Sequence, residues 1–321
     1  MQEYVLSLSY GKDSLACLGA IEELGLPLTR IVHAEVWATD TIHADLPPMV
    51  EFKSKADKII KARFGIEVEH VCAMKNGKKV TYQDVFYRKL KPRNQSINQS
   101  LRKVYGFPTM FGKWCNSMLK GSVLDKNIRI PIHRERHGVV SRTQTSDSTG
   151  FQSHQSEIGV LHSNCNLSTG FSDRAKRGAD TNTVIQYLGI AADEPNRFHN
   201  LTDKKRSPLV EAGWTESMCR DWCEANDLLS PIYTTSTRGG CWFCHNQSVG
   251  QLRNLRKNYP DLWALLLKWD IDSPVSFKPD GRTVHDFDAR FAMEDEGLIS
   301  PDDPWKWGYI ADTPLQLKMK F

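Results

Sequence analysis

The stretch Tyr4-Val5-Leu6-Ser7-Leu8-Ser9-Tyr10-Gly11-Lys12-Asp13-Ser14-Leu15-Ala16-Cys17-Leu18-Gly19-Ala20-Ile21-Glu22-Glu23-Leu24-Gly25 decides the reading of the fold. Tyr4 to Ser9 is short, apolar and β-prone. Leu15 to Leu24 places apolar residues at helical spacing and stops at Gly25, where a C-cap would fall. The polar run between them is the turn from a first strand into a first helix. Such a turn gathers backbone N–H groups at the positive end of a helix dipole, and phosphate is its natural guest. Ser9 and Ser14 offer hydroxyl donors, Gly11 permits close backbone approach, and Lys12 can neutralise phosphate charge. Asp13 would hold the turn or a metal. The spacing is neither that of a Walker A loop nor that of a dinucleotide Gly-x-Gly-x-x-Gly turn.

Outward from this loop, Ile31 to Trp37 reads as a second buried strand, followed by Thr39-Asp40. Met49 to Phe64 is an amphipathic helix after Pro47-Pro48, and Val68 to Cys72 is a third strand. A β-α-β-α-β order favours a parallel sheet with helices on both faces, so the expected fold class is α/β: doubly wound, mostly parallel and Rossmann-like. Further along, Gly112 to Lys120 opens another helix, Val184 to Ile190 is a strand, Thr215 to Asn226 has helical spacing and Leu229 to Tyr233 resembles a short strand before a turn at Thr237 to Gly240. Between Ile128 and Asn182 the chain is heavy in Ser, Thr, Asn, Gln, His and Arg and poor in periodic apolar positions. This composition predicts an insertion, about 128–182, read as a mobile excursion or a substrate lid. The expected organisation is a nucleotide-binding domain over 1–250 and a helical C-terminal cap over 251–321, whose core Trp263, Trp269, Trp305 and Trp307 would fill.

The chain has 321 residues, 40% hydrophobic and 25% charged, which is ordinary for a globular protein. Its longest apolar runs fall far short of the roughly 20 residues that span a bilayer, so no membrane partner is expected. The N-terminus lacks a basic region, which predicts a cytoplasmic protein with its eight cysteines reduced or ligating. A net charge of +4 permits an anionic ligand or nucleic acid and demands neither. Tyr82, Phe86, Tyr87, Arg88, Lys89, Lys91, Arg93, Arg102 and Lys103 mix aromatic and basic groups that could meet nucleic-acid phosphates; a solvated helix face is the plainer reading. His133, His137, His154 and His162 show no helical metal spacing and read as solvated.

Ser9-Tyr10-Gly11-Lys12-Asp13-Ser14 resembles the Ser-Gly-Gly-x-Asp-Ser loop of PP-loop ATP pyrophosphatases and phosphoadenosine phosphosulfate (PAPS) reductase-like proteins, with Tyr10 at the first glycine position. Thr39-Asp40 falls where that family places residues near the adenosine. Lys113-Trp114-Cys115 through Leu119-Lys120 is similar to its Trp-Cys and Leu-Lys motif, and Gly189-Ile190-Ala191-Ala192-Asp193-Glu194 to its Gly-Ile-Arg-Ala-Asp-Glu segment, with Ala191 in place of the arginine. Arg197, with Lys204 to Arg206, offers the positive charge instead. Arg238-Gly239-Gly240-Cys241-Trp242-Phe243-Cys244 is similar to its Gly-Cys-x-x-Cys closing segment. The resemblance implies a PP-loop fold and an adenine nucleotide, ATP or a PAPS-like one with Mg2+, bound by Ser9, Tyr10, Gly11, Lys12, Asp13, Ser14, Thr39, Asp40, Gly189 and Arg197.

Cys241 and Cys244 sit on a tight turn whose spacing suits zinc, an iron-sulfur cluster or a redox dithiol. By resemblance Cys115 would be a third ligand, with a [4Fe-4S] cluster left open at one iron, or a closed Zn2+ site completed by Cys223 or His245. Cys17 and Cys72 read as core, Cys219 and Cys223 as packing on one helix face, and Cys165 as solvent-facing. No cysteine follows Cys244, where a true PAPS reductase carries its reactive thiol. Three activities remain. The first is an enzyme that splits ATP to AMP and pyrophosphate and activates an acceptor for sulfur or amide transfer, with Lys12, Asp13 and Cys115 catalytic and a nucleic-acid or sulfur-donor protein as partner. The second is a sulfonucleotide reductase or sulfotransferase using Cys115, Cys241 or Cys244. The third is a nucleotide- or nucleic-acid-binding module without turnover, its metal structural.

Overall fold

The computed structural model describes residues 2–89, 104–108, 113–128, 184–234 and 240–304. Outside these residues lie nearly all of the polar insertion with Cys165 and its four histidines, the basic residues Lys91, Arg93, Arg102 and Lys103, the pair Arg238-Gly239, and Trp305 and Trp307.

In chain order the elements are β1 (Glu3–Ser7), α1 (Lys12–Glu23), β2 (Arg30–Glu35), α2 (Pro47–Phe64) and β3 (Val68–Cys72), then a short hairpin β4 (Met74–Lys75) and β5 (Lys78–Lys79) and the turn-length α3 (Tyr82–Phe86). A continuous helix follows as α4 (Trp114–Asn116), a π turn (Ser117–Gly121) and α5 (Ser122–Ile128). The rest comprises β6 (Val184–Tyr187), a 3-10 turn (Pro195–Asn200), β7 (Lys205–Arg206), α6 (Pro208–Ala212), α7 (Glu216–Ala225), a second 3-10 turn (Pro231–Thr234), α8 (Val249–Asn258), α9 (Pro260–Asp272) and α10 (Val284–Asp295).

Five strands form one sheet in the order β3-β2-β1-β6-β7, every neighbouring pair parallel. Leu6 sits opposite Ile31 on one side and Tyr187 on the other. All six residues of β2 are buried, as a parallel strand covered on both faces requires. Leu6, Leu8, Ile31 and Tyr187 pack with α1, α2 and α7 through Leu15, Phe52 and Cys219. The alternate residues Val5 and Val32 face Ile128 and Leu124 of α5 on the opposite side. The doubly covered α/β sheet expected from the strand-helix alternation is therefore present. The strand order reverses beside β1, and in open α/β sheets ligands bind at the carboxyl ends of the strands at such a switch point.

Local chemistry explains most boundaries. Pro47 and Pro48 occupy the first positions of α2, where a missing N–H costs nothing, and Gly65 closes that helix in the left-handed conformation at φ 68°. Thr215 caps α7 by accepting from Met218 N–H, and Ser248 with Gln251 makes a reciprocal capping box on α8. One expectation is corrected. Leu229 to Tyr233 contains no strand but a 3-10 turn, because Pro231 lacks the N–H that a ladder needs. Residue 250 lies inside α8, and α8 to α10 share one hydrophobic cluster with Tyr82, Phe86, Trp114, Trp242 and Phe243. No helix among the described residues is long and apolar enough to cross a membrane.

Candidate functional site

Beyond Ser7 the chain leaves the sheet and turns into α1. Ser14 Oγ organises this turn: it accepts from Ser9 N–H at 3.1 Å and Ser9 Oγ at 2.9 Å, and donates to the Gly11 carbonyl at 3.0 Å. Lys12 N–H donates to the Tyr233 hydroxyl at 3.1 Å, and the Lys12 ammonium bridges Asp13 at 2.6 Å and Glu216 at 2.8 Å. These carboxylates raise the Lys12 pKa against the effect of burial, so the cation persists at neutral pH. Burial pushes the Asp13 carboxyl up, with Lys12 opposing it. Gly11 is the N-cap of α1 and offers no side-chain cap to the first-turn amides.

Tyr10 takes a left-handed backbone, φ 57°, that a glycine would adopt freely. In a residue with a Cβ this costs on the order of 1–3 kcal/mol and persists only where the surroundings enforce it. Its ring is fully buried behind the loop, and its hydroxyl donates to Asp57 of α2 and lies 3.1 Å from His70 Nε2 of β3. Beside it runs a second chain of polar contacts. His33 Nδ1 lies 2.8 Å from the Leu8 carbonyl, His33 Nε2 lies 2.9 Å from the Lys53 ammonium, and that ammonium reaches Asp45 at 2.6 Å. Burial and the neighbouring Lys53 hold His33 well below its ordinary pKa, so the ring is neutral. A neutral ring next to an ammonium donor must accept at Nε2 and donate from Nδ1 to Leu8.

Two cavities open on this turn and share Ser9 and Arg197. The smaller, about 370 Å³, lies between the ends of β1 and β6 and is lined by Ser7, Ser9, Ser14, Arg197, Asn200 and Lys205, with no carboxylate in its wall. The larger, about 840 Å³, is lined by Lys12, Lys53, Lys120, Asp45 and Cys241 among others. Gly189 touches the smaller cavity, but its bareness serves packing: a Cβ there would lie 2.7 Å from the backbone of Ser14. Arg197 pairs with Glu194 at 2.7 Å. Thr39 and Asp40 line neither cavity; Thr39 Oγ1 accepts from Ile42 N–H, and the Asp40 carbonyl accepts from Lys79 at the tip of a tight turn.

Cys241 is held near the Ser9–Ser14 loop because Trp242 donates twice to the segment before α2, from its N–H to Ala44 at 2.9 Å and from Nε1 to His43 at 2.9 Å. Lys278 pins the same turn from the C-terminal side, donating to the His245 carbonyl at 2.6 Å. Burial raises the Cys241 thiol to about 11, against the pull of Lys120 from the π turn. Cys115, Cys241 and Cys244 all act electrostatically on Lys120 and on the fully buried Tyr82 phenol, so they share one neighbourhood. Cys223 stands apart. Its thiol donates to the Lys12 carbonyl at 3.2 Å, and it packs with Cys17 and Cys219 between α1 and α7. Among the described residues no three His, Cys, Asp or Glu side chains form a group that could hold a metal ion. As arranged, the thiols do not fit zinc or a cluster.

Lys53 and His33 carried a signal in the sequence. Lys53 interrupts the inward stripe Met49, Phe52, Ala56, Ile60 of α2, and His33 interrupts the run Ile31-Val32-His33-Ala34, so each is a polar group at a buried position that needs a partner. Compared with known proteins, the chain matches no family model, no curated protein and no solved structure.

Proposed function

We propose that this chain is a PP-loop enzyme of PAPS reductase-like type that binds ATP at Ser9 to Ser14 and splits it into AMP and pyrophosphate, activating an acceptor as an adenylate for sulfur or amide transfer. The observation that carries the reading is the acid-free cavity at the end of β1, where two cations, three hydroxyls and the start of a 12-residue helix converge. The departing pyrophosphate lies there, its charge met by the first-turn amides, Arg197 and Lys205. Lys12 releases Glu216 and turns to the phosphates, and electrostatic stabilisation of this kind is the largest catalytic contribution such a site supplies. Asp13, beside Lys12 in the wall of the larger cavity, would hold Mg2+, which when bound would neutralise phosphate oxygens. The acceptor enters the larger cavity, which has room for it beside the nucleotide.

Pyrophosphate release from ATP, measured with and without candidate acceptors, tests the reading. Release that vanishes in Lys12→Ala is the expected result; a protein that binds neither ATP nor PAPS overturns it. Cys241 in the cavity wall favours a second reading, thiol chemistry on a sulfonucleotide. Tight PAPS binding without ATP turnover, with activity lost in Cys241→Ser, would establish that alternative.

A further inference from the structure

We propose that Tyr10 is a positioning residue whose side chain, held from behind by Asp57 and His70, fixes the left-handed turn that aims the nucleotide loop into the cavities. The inference rests on the nucleotide-binding reading of the loop and adds the residue that sets its shape. A glycine would take φ 57° freely; an aromatic residue needs enforcement from its surroundings. That enforcement comes from every side of the ring. His33 of β2 meets it edge-on at a centroid distance of 4.7 Å, His70 lies tilted at 6.0 Å, and the Lys53 ammonium stands 5.3 Å over its face.

The hydroxyl completes the hold. It donates to one Asp57 oxygen, while His70 Nε2 sits 2.9 Å from the other and 3.1 Å from the hydroxyl, closing a ring of polar contacts across α2 and β3. Burial and the Asp57 charge push the phenol pKa far up, so it remains a neutral donor. Neither Asp57 nor His70 lines the two cavities at the loop. A change at Asp57 therefore reaches a bound nucleotide through Tyr10 and not by direct contact. The chain has exchanged the freedom of a glycine for a strut, which lowers the ordering cost of binding because the loop is shaped before the nucleotide arrives.

A residue that merely fills the core would show its loss in melting temperature alone, so the test reads affinity and loop dynamics as well. Tyr10→Phe keeps the ring and removes the hydroxyl; Asp57→Asn keeps the shape and weakens the acceptor. Both variants and their double mutant are assayed for binding of Mg-ATP and of PAPS by calorimetry, and for hydrogen exchange of the amides of residues 11–14. Each single variant is expected to bind about tenfold more weakly, as for loss of one charge-assisted hydrogen bond. The double mutant should be no weaker than either single, because both break the same bond. The amides of 11–14 should exchange faster in all three. Wild-type affinity together with wild-type exchange in folded Tyr10→Phe overturns the proposal, whatever its melting temperature. Should Tyr10→Phe fail to fold, Asp57→Asn carries the same comparison. If the wild-type protein binds neither nucleotide, the functional reading fails, and exchange at 11–14 still decides whether Tyr10 positions the loop.

Discussion

Lys12 is charged, close to the start of α1, and already occupied by Asp13 and Glu216. A phosphate bound by Lys12 would have to displace Glu216, which is half-exposed and therefore the cheaper partner to give up. Glu216→Gln should accordingly tighten ATP binding a few-fold, whereas Lys12→Ala should lower the rate of pyrophosphate release by roughly 10²–10³, the usual cost of one donor to a developing anion. Titration calorimetry and a pyrophosphate assay read the two, and a Glu216→Gln protein that binds ATP more weakly would refute the competition. His33 makes a pH prediction. Its folded pKa lies well below the ordinary 6.5, so below pH 6.5 the unfolded chain binds a proton that the folded protein refuses. Stability is then full above 6.5 and falls with decreasing pH, by up to about 1.4 kcal/mol per unit, until the folded pKa is reached. His43 and His245 are also depressed by burial and add to the slope, while His285, raised by Asp270, subtracts from it. Urea unfolding at pH 7.5 and 5.5 should show the loss, and His33→Gln should flatten it. At this scale the turn itself was legible, because a polar, glycine-containing run separates the apolar strand β1 from the apolar helix α1. The buried side of Tyr10 was not, since a tyrosine in a polar turn gives no sign of which way its ring goes.

Between elements, the site depends on how closely β6 and α1 approach. Gly189 follows β6, and a Cβ on it would meet the backbone of Ser14 and Asp13 at 2.7 to 2.9 Å, atoms that cannot rotate aside. Gly189→Ala should cost about 1–3 kcal/mol of stability, as other overpacked substitutions do. It should also weaken nucleotide binding, because the first turn of α1 must shift. A thermal melt with an ATP titration checks both, and unchanged affinity in the variant would separate Gly189 from the loop. The strands β1, β2, β3 and β6 were legible from the sequence, and Val68 to Cys72 matches β3 to the residue, because it is bounded by Gly65 and a turn; the two-residue strands β4, β5 and β7 were not, and Leu229 to Tyr233 resembled a strand where a 3-10 turn forms. Other strand ends were not legible either. The apolar runs to Ser9, Trp37 and Ile190 overshoot β1, β2 and β6, which stop at Ser7, Glu35 and Tyr187. Of the surplus residues, Leu8, Val36, Leu188 and Ile190 line the two cavities just past the named strands.

For the whole molecule, the question is whether the C-terminal helices are an appendage. Trp269 of α9 is fully buried, stacked at 5.6 Å and 12° on Trp242 of the cysteine turn, and 5.2 Å from Tyr82 of α3. Gly106 and Phe107 are likewise tied to this region, since Phe107 N–H donates to Ser273 Oγ and its ring meets Phe277 edge-on at 5.1 Å. A chain cut after residue 250 would sever α8 and leave Trp242, Phe243, Tyr82 and Phe86 facing water, so the cysteine turn would lose its wall. The fold should therefore melt as one unit. Trp269→Ala should lower stability by about 3–5 kcal/mol and shift a single calorimetric transition without splitting it. It should weaken the hold on Cys241 as well, because Trp242, which that ring supports, makes the two hydrogen bonds to His43 and Ala44. A 1–250 fragment that melts cooperatively and binds ATP like the full chain would show instead that the nucleotide site stands without these helices.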